Sequence, residues 1–410
     1  MRLALLLAAL ALPAPPSTST PPPNSSLEYR VSPERRQKAL DYARIKYALY
    51  FASTFWTIFA LALLIRFRIA TILRRWAESL ARNRFLQCCV FVPLFAIILG
   101  LITLPIESIS HHYSLKYEES IQSWLSWSRD LLVAGALATA LAIPVAWIFL
   151  RVARWSPRRW WLWFWLAAAP IVIFLQFVAP VAIEPLFFKF KPLTDVNAPL
   201  AAELQKVAAR GGLDVPPSRM FEMEASEKLK SVNAYVNGFG ASKRVVVWDT
   251  TIAKMTTSEI MFVFGHELGH YVLGHVVRGL AFALALLLVS LALVHRAARW
   301  LVEKRGSSWG LRGVDDLAAL PLLLVLLATV DFFATPIGSA YARRMEHQAD
   351  AFGLEAIRGL VDDPGETAAR AFERLGDIDL SDPDPPKLVA FWLYDHPPIA
   401  ERVRFARGRR

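Results

Sequence analysis

Six apolar blocks of about 19–21 residues punctuate the chain, at residues 47–65, 85–104, 131–150, 160–180, 276–295 and 317–335. As a helix rising about 1.5 Å per residue, each is long enough to cross a hydrocarbon layer of about 30 Å. A shorter apolar run, Leu3 to Leu12, follows Arg2 and carries the small residues of Ala9-Leu10-Ala11. It is too short to span, so residues 1–23 read as an export signal, with the Pro- and Ser-rich residues 13–26 as a flexible tether. The pattern predicts a mainly α protein, a polytopic membrane helical bundle. Residues 24–180 form an N-terminal membrane domain with four spans. Residues 181–410 form a second domain with a helix over 256–275, spans at 276–295 and 317–335, and further helices over 336–410.

The loops between blocks suggest an orientation. Loops 66–84, 151–159 and 296–316 are rich in Arg and Lys, whereas loop 105–130 has only Lys116 and Arg129 against four acids. Cytoplasmic loops carry the basic excess, so the three basic loops are expected inside and the polar segments 181–275 and 336–410 outside. Residues 28–46, with six basic side chains, run against this scheme. Composition agrees with a membrane protein: 55% of the 410 residues are hydrophobic and 20% charged, where soluble domains sit near 45–50% and about 25%. Most of the net charge of +11 lies in short loops facing anionic lipid. No nucleic-acid motif is present, and nucleic acid is excluded as a partner. Cys88 and Cys89 are adjacent and form no metal-binding pattern.

The chemistry is concentrated in the second domain. Thr256-Thr257-Ser258-Glu259 is a capping box, so a helix should begin there, and along it come His266-Glu267-Leu268-Gly269-His270. Histidines four apart share a helix face and can grip one zinc ion, with Glu267 beside them as general base for a water. His275, nine residues beyond His266, falls on the opposite face of that helix and is not a ligand of the same metal. A catalytic zinc needs a third protein ligand. The best candidate is Glu346, in Arg343-Arg344-Met345-Glu346-His347-Gln348-Ala349-Asp350, with His347 a rival pointing about 100° away. Asp350, four residues on, is placed to hydrogen-bond a ligand histidine or to pass a proton. Residues 231–249 have β-branched or aromatic flanks around Asn237-Gly238 and predict a β-hairpin. Beside a metal, an edge strand can pair with a substrate backbone; an ordinary structural hairpin is the alternative. His396, in Asp395-His396-Pro397-Pro398, could steady an oxyanion or serve only a turn.

With these motifs in this order, the sequence resembles the M48 metallopeptidases in their CAAX prenyl protease 1 (Ste24-type) branch. The resemblance spans roughly residues 90–405. It rests on Ala179-Pro180 with the Pro185 to Leu193 segment, Asn233-Ala234-Tyr235, His266 to His270, Arg343 to Phe352, and His396-Pro397-Pro398. It implies a zinc endopeptidase whose membrane helices wall a chamber around a zincin-like site, one Zn2+ per chain, and peptide or protein substrates, lipidated or membrane-inserted among them. His266, His270 and Glu346 match the family's ligands, Glu267 its base and Asp350 its proton donor. His396 matches a transition-state contact, and Asn233, Ala234 and Tyr235 match the substrate strand. Eukaryotic members have seven spans and a cytosolic site; this chain has six apolar blocks and charges that place its site outside.

Overall fold

The structure, a computed structural model, describes residues 28–178, 182–237 and 243–409. The export-signal segment 1–23, Ala179-Pro180 and the Gly238-Phe239-Gly240 turn lie outside the described residues. Among the described residues the amino-terminal half is five helices: α1 (Pro33–Arg66), α2 (Ile69–Leu80), α3 (Arg84–Lys116), α4 (Trp124–Trp155) and α5 (Trp160–Val178). Among the described residues, five helices are long and apolar enough to cross a membrane. They are α1, α3, α4, α9 (His275–Trp309) and the Leu317–Ala356 stretch that includes α10 (Leu320–Ala356). The apolar block at 160–180 forms α5, whose apolar part, Trp160–Gln176, is shorter.

The helices overrun their apolar blocks. Hydropathy marks only the turns that meet hydrocarbon, while backbone hydrogen bonding continues into polar flanks. The apolar block at 317–335 continues into the polar segment beyond it: α10 runs 37 residues through Pro336 and carries Glu346 and Asp350 near its far end. Large exposed apolar side chains such as Leu101, Leu132 and Phe174 lie on these helices. Exposed apolar side chains of this size suit a hydrocarbon surrounding, where they carry none of the cost they would have in water.

The expected hairpin is present as β3 (Ala234–Asn237) against β4 (Arg244–Trp248), with Ala234 opposite Val247 and Asn237 opposite Arg244. It belongs to a four-stranded sheet in the order β1 (Phe190–Pro192), β2 (Met220–Met223), β4, β3, with β2 and β4 parallel. β3 is therefore an edge strand. Helix α6 (Leu193–Arg210) follows β1; α7 (Asp249–Lys254) and α8 (Thr257–Val272) follow β4. α8 packs against the sheet, α6, α10 and α11 (Pro364–Ile378), with Phe262 edge-on to Phe372 at 5.1 Å. Two short helices, α12 (Lys387–Leu393) and α13 (Ile399–Arg407), close the chain.

The basic amino-terminal segment finds acids. Arg35 pairs with Asp377 at 2.9 Å, Lys38 with Glu118 at 3.5 Å and Lys46 with Glu119 at 3.8 Å. The first and third basic loops meet one another: Arg68 donates to the Ser308 carbonyl, Arg312 pairs with Glu78, and Arg74 pairs with Asp316 in a buried contact.

Candidate metal centre and active site

Local sequence builds the first half of the site. Thr256 accepts from the Glu259 backbone N–H while the Glu259 carboxylate accepts from Thr256 N–H at 2.9 Å, which starts α8 as the capping box requires. Ile260, Phe264 and Leu268 anchor α8 in the core. On its other side Gly265 and Gly269 let α10 approach closely: a Cβ on Gly269 would lie 3.2 Å from Ala349 Cα, and one on Gly353 2.9 Å from His266 N. That approach brings Glu346 to the histidines.

His266 Nε2 lies 3.1 Å from His270 Nε2, and Glu346 reaches them at 3.3 and 3.2 Å through its two oxygens. Donor atoms about 2.0–2.1 Å from a tetrahedral zinc are separated by about 3.3 Å. These spacings, and the mixed imidazole–carboxylate donor set, fit that ion. Glu346 Oε2 is buried, and the ring nitrogens near it make no well-aligned hydrogen bond to it, a deficit a metal would satisfy. His347 turns away and packs on Phe405 at 4.4 Å.

Glu267 sits beside the triangle, its Oε1 3.9 Å from His266 Nε2, and lines a cavity of about 600 Å³. Burial pushes its carboxyl above the ordinary carboxylate range. Asp350 is fully buried, 2.8 Å from His266 Nδ1 on the side away from the metal position. Arg402 closes on it with two bonds of 2.9 and 2.5 Å while stacking over Phe372. His396 lines the cavity, its Nε2 3.1 Å from Glu346 Oε2 and its Nδ1 donating to Asp395 at 2.8 Å. Arg343 on α10 holds the chain just before it by donating to the Ala390 and Tyr394 carbonyls.

Asn233 also lines the cavity, just ahead of β3, with its backbone tied to Thr251 and Trp248. The Ala234 and Tyr235 side chains do not reach it: Ala234 is buried in the core, and the Tyr235 hydroxyl donates to Glu184 at 2.7 Å.

His275 departs from expectation. α8 stops at Val272 and Gly274 adopts a left-handed φ of +69°, so His275 begins a new helix instead of continuing the old one. Its ring lies against His270, Nδ1 to Nδ1 at 3.1 Å, not on the opposite face. The sequence signal was Gly274, the residue most at ease in that conformation. Arg402, six residues beyond His396, had no comparable local signal.

Comparison with known proteins gives a consistent result. The model of Peptidase family M48 matches residues 195–410, and that of the CAAX prenyl protease N-terminal domain, described as five membrane helices, matches residues 16–189. An uncharacterized metalloprotease, YhfN of Bacillus subtilis, is 35% identical over 92% of this chain and 86% of its own length. CAAX prenyl protease 1 of Saccharomyces cerevisiae is 27% identical over 77% of this chain and 71% of its own length. The crystal structure of S. mikatae Ste24p superposes with a TM-score of 0.79 at 23% identity, covering 95% of this chain and 92% of that one, and shares the fold.

Proposed function

The chain belongs to peptidase family M48 and is a membrane metalloprotease, and from that premise we propose that it holds one zinc ion through His266, His270 and Glu346 and cleaves internal peptide bonds of extended segments. The observation that carries this reading is the triangle of donor atoms, 3.1–3.3 Å on each side, whose His266 lines a cavity of about 600 Å³ together with Glu267.

Zinc bound there would supply a Lewis acid that polarises the scissile carbonyl and makes a water nucleophilic near neutral pH. Glu267, outside the triangle but facing the cavity, takes the proton of the attacking water and returns it to the leaving amine. His396, oriented by Asp395, faces the developing oxyanion. Asp350 has no exposed surface with which to meet a substrate. Its role is to fix the His266 ring with Nδ1–H toward the carboxylate and the Nε2 lone pair toward the ion, while Arg402 compensates its charge. The edge strand Ala234–Asn237 supplies backbone groups to an extended substrate, with Asn233 at the cavity. Such pairing reads peptide backbone, so unfolded or membrane-inserted segments suit it. Digestion of an unfolded protein such as casein is expected to stop with a chelator and resume on adding zinc; cleavage indifferent to chelation would overturn the metal's role.

The site is proposed to face the extracytoplasmic side. His275 touches the site, and Trp309, about 50 Å away along the same 35-residue helix, meets the basic loops through the Trp309 carbonyl and Thr71. The basic segment 28–46, at the site end, has acidic partners in Glu118, Glu119 and Asp377. A carboxy-terminal fusion to an enzyme that works only outside the cytoplasm is expected to be active; an inactive, full-length fusion reverses the orientation. A second reading comes from CAAX prenyl protease 1 of Saccharomyces cerevisiae, 27% identical, and the CAAX prenyl protease 1 homolog of Dictyostelium discoideum, 25% identical. Under it, cleavage would occur on the cytoplasmic side and require a prenyl group, so matched peptides with and without that group separate the two.

A further inference from the structure

We propose that His275 and Gln348 form a neutral hydrogen-bond relay that accepts the Nδ1–H of His270 and so fixes its metal-facing tautomer, an inference that rests on the metal centre proposed above. His270 turns Nε2 toward Glu346 and His266, at 3.2 and 3.1 Å. Its Nδ1 therefore points the other way, 3.1 Å from His275 Nδ1, and His275 Nε2 lies 3.1 Å from Gln348 Oε1. Two Nδ1 atoms at that distance need one proton between them. A neutral imidazole that offers its Nε2 lone pair to a metal carries its proton on Nδ1. His270 Nδ1–H then donates to His275 Nδ1, which leaves the His275 proton on Nε2, where it donates to the Gln348 side-chain carbonyl. Each donor has one acceptor, and the amide orientation of Gln348 is set as well.

The fold builds this relay deliberately out of the helix break. The left-handed Gly274 turns the chain so that His275 opens α9 with its ring folded back over His270, centroids 5.1 Å apart and planes at 72°. His275 is 3% exposed, so its ring is held by packing as well as by hydrogen bonds. Gln348 comes from α10, the helix that carries Glu346. The two histidines of the triangle thus have unlike partners. His266 faces the carboxylate of Asp350, balanced by Arg402, whereas His270 faces an uncharged pair. Glu267, Glu346 and Asp350 already stand at the site, with Arg402 paired to Asp350, and a neutral partner orients the ring without adding a fourth carboxylate.

The test measures zinc affinity of the full-length, detergent-solubilised protein by chelator competition, alongside the melting temperature of the metal-free form and kcat/KM at saturating zinc. His275→Leu, which removes the acceptor, is expected to weaken zinc binding by about 10–100-fold. His275→Asn, whose Oδ1 can take the place of Nδ1, should recover most of that loss. Gln348→Leu, which strips only the outer acceptor, should give a smaller loss in the same direction. All three should keep the metal-free melting temperature near that of the wild type. Wild-type zinc affinity in His275→Leu overturns the relay, as does a loss in His275→Asn equal to that in His275→Leu, which would mark a packing role. Should His275→Leu fail to fold, an unchanged affinity in Gln348→Leu together with a full loss in His275→Asn overturns it. If the wild-type protein itself binds no zinc, the metal centre falls and the relay with it; if the wild type binds and the variants bind equally, only the relay falls.

Discussion

Replacing Glu267 by Gln is expected to lower kcat/KM for peptide hydrolysis by about 10²–10⁴-fold, the usual contribution of a positioned general base. That corresponds to about 3–5 kcal/mol of transition-state stabilisation. Gln keeps the shape and can still hydrogen-bond, but its amide cannot take a proton from water. Glu267 is not a corner of the donor triangle; its Oε1 stands 3.9 Å from His266 Nε2 and faces the cavity. Zinc content and melting temperature should therefore match the wild type, and this separation of binding from turnover is the decisive part of the result. Wild-type turnover in Glu267→Gln would remove Glu267 as the base. Loss of zinc along with turnover would make it a ligand. The measurements are peptide kinetics and metal content on the same preparation.

How much of this could be read from the chain depends on how far apart the cooperating residues lie. The α8 capping box and the His266–His270 pair are local, set by a 3.6-residue period, and both appear in the structure as spacing dictates. Glu346 is about eighty residues beyond His266, and nothing in its own neighbourhood distinguishes a ligand from an exposed acid. Motif order across the chain singled it out. His275 departs from its angular position because the left-handed Gly274 ends one helix and starts another, and a helical period carries no information across such a break. Arg402 was invisible because its partner, Asp350, is on another helix and meets it only through the tertiary fold. Strands β1 and β2, of three and four residues, are too short to show a period of two, and the parallel pairing of β2 with β4 is non-local. The basic segment 28–46 stood out as an anomaly in the loop charges, and its partners Glu118, Glu119 and Asp377 come from distant parts of the chain.

The contact that brings the two halves of the metal centre together predicts a second large effect. Gly353→Ala is expected to push α10 away from α8, because the added Cβ would lie 2.9 Å from His266 N and 3.2 Å from His266 Cα. Backbone atoms of a packed helix cannot swing aside as a side-chain tip can, so the helices must separate. Overpacking of this kind costs about 1–3 kcal/mol of stability. The functional cost should be larger, because Glu346 rides on α10 while His266 and His270 ride on α8. A displacement of about 1 Å between catalytic groups can cost about 10²-fold in rate, and a widened donor triangle also weakens zinc binding. Gly338→Ala on the same helix is the control: nothing lies within 4 Å of its Cβ position, and Ala favours a helix over Gly by about 1 kcal/mol. It should leave zinc affinity unchanged and stability equal or higher. If Gly353→Ala instead binds zinc and melts like the wild type, the close crossing of α8 and α10 is not what sets the geometry of the centre.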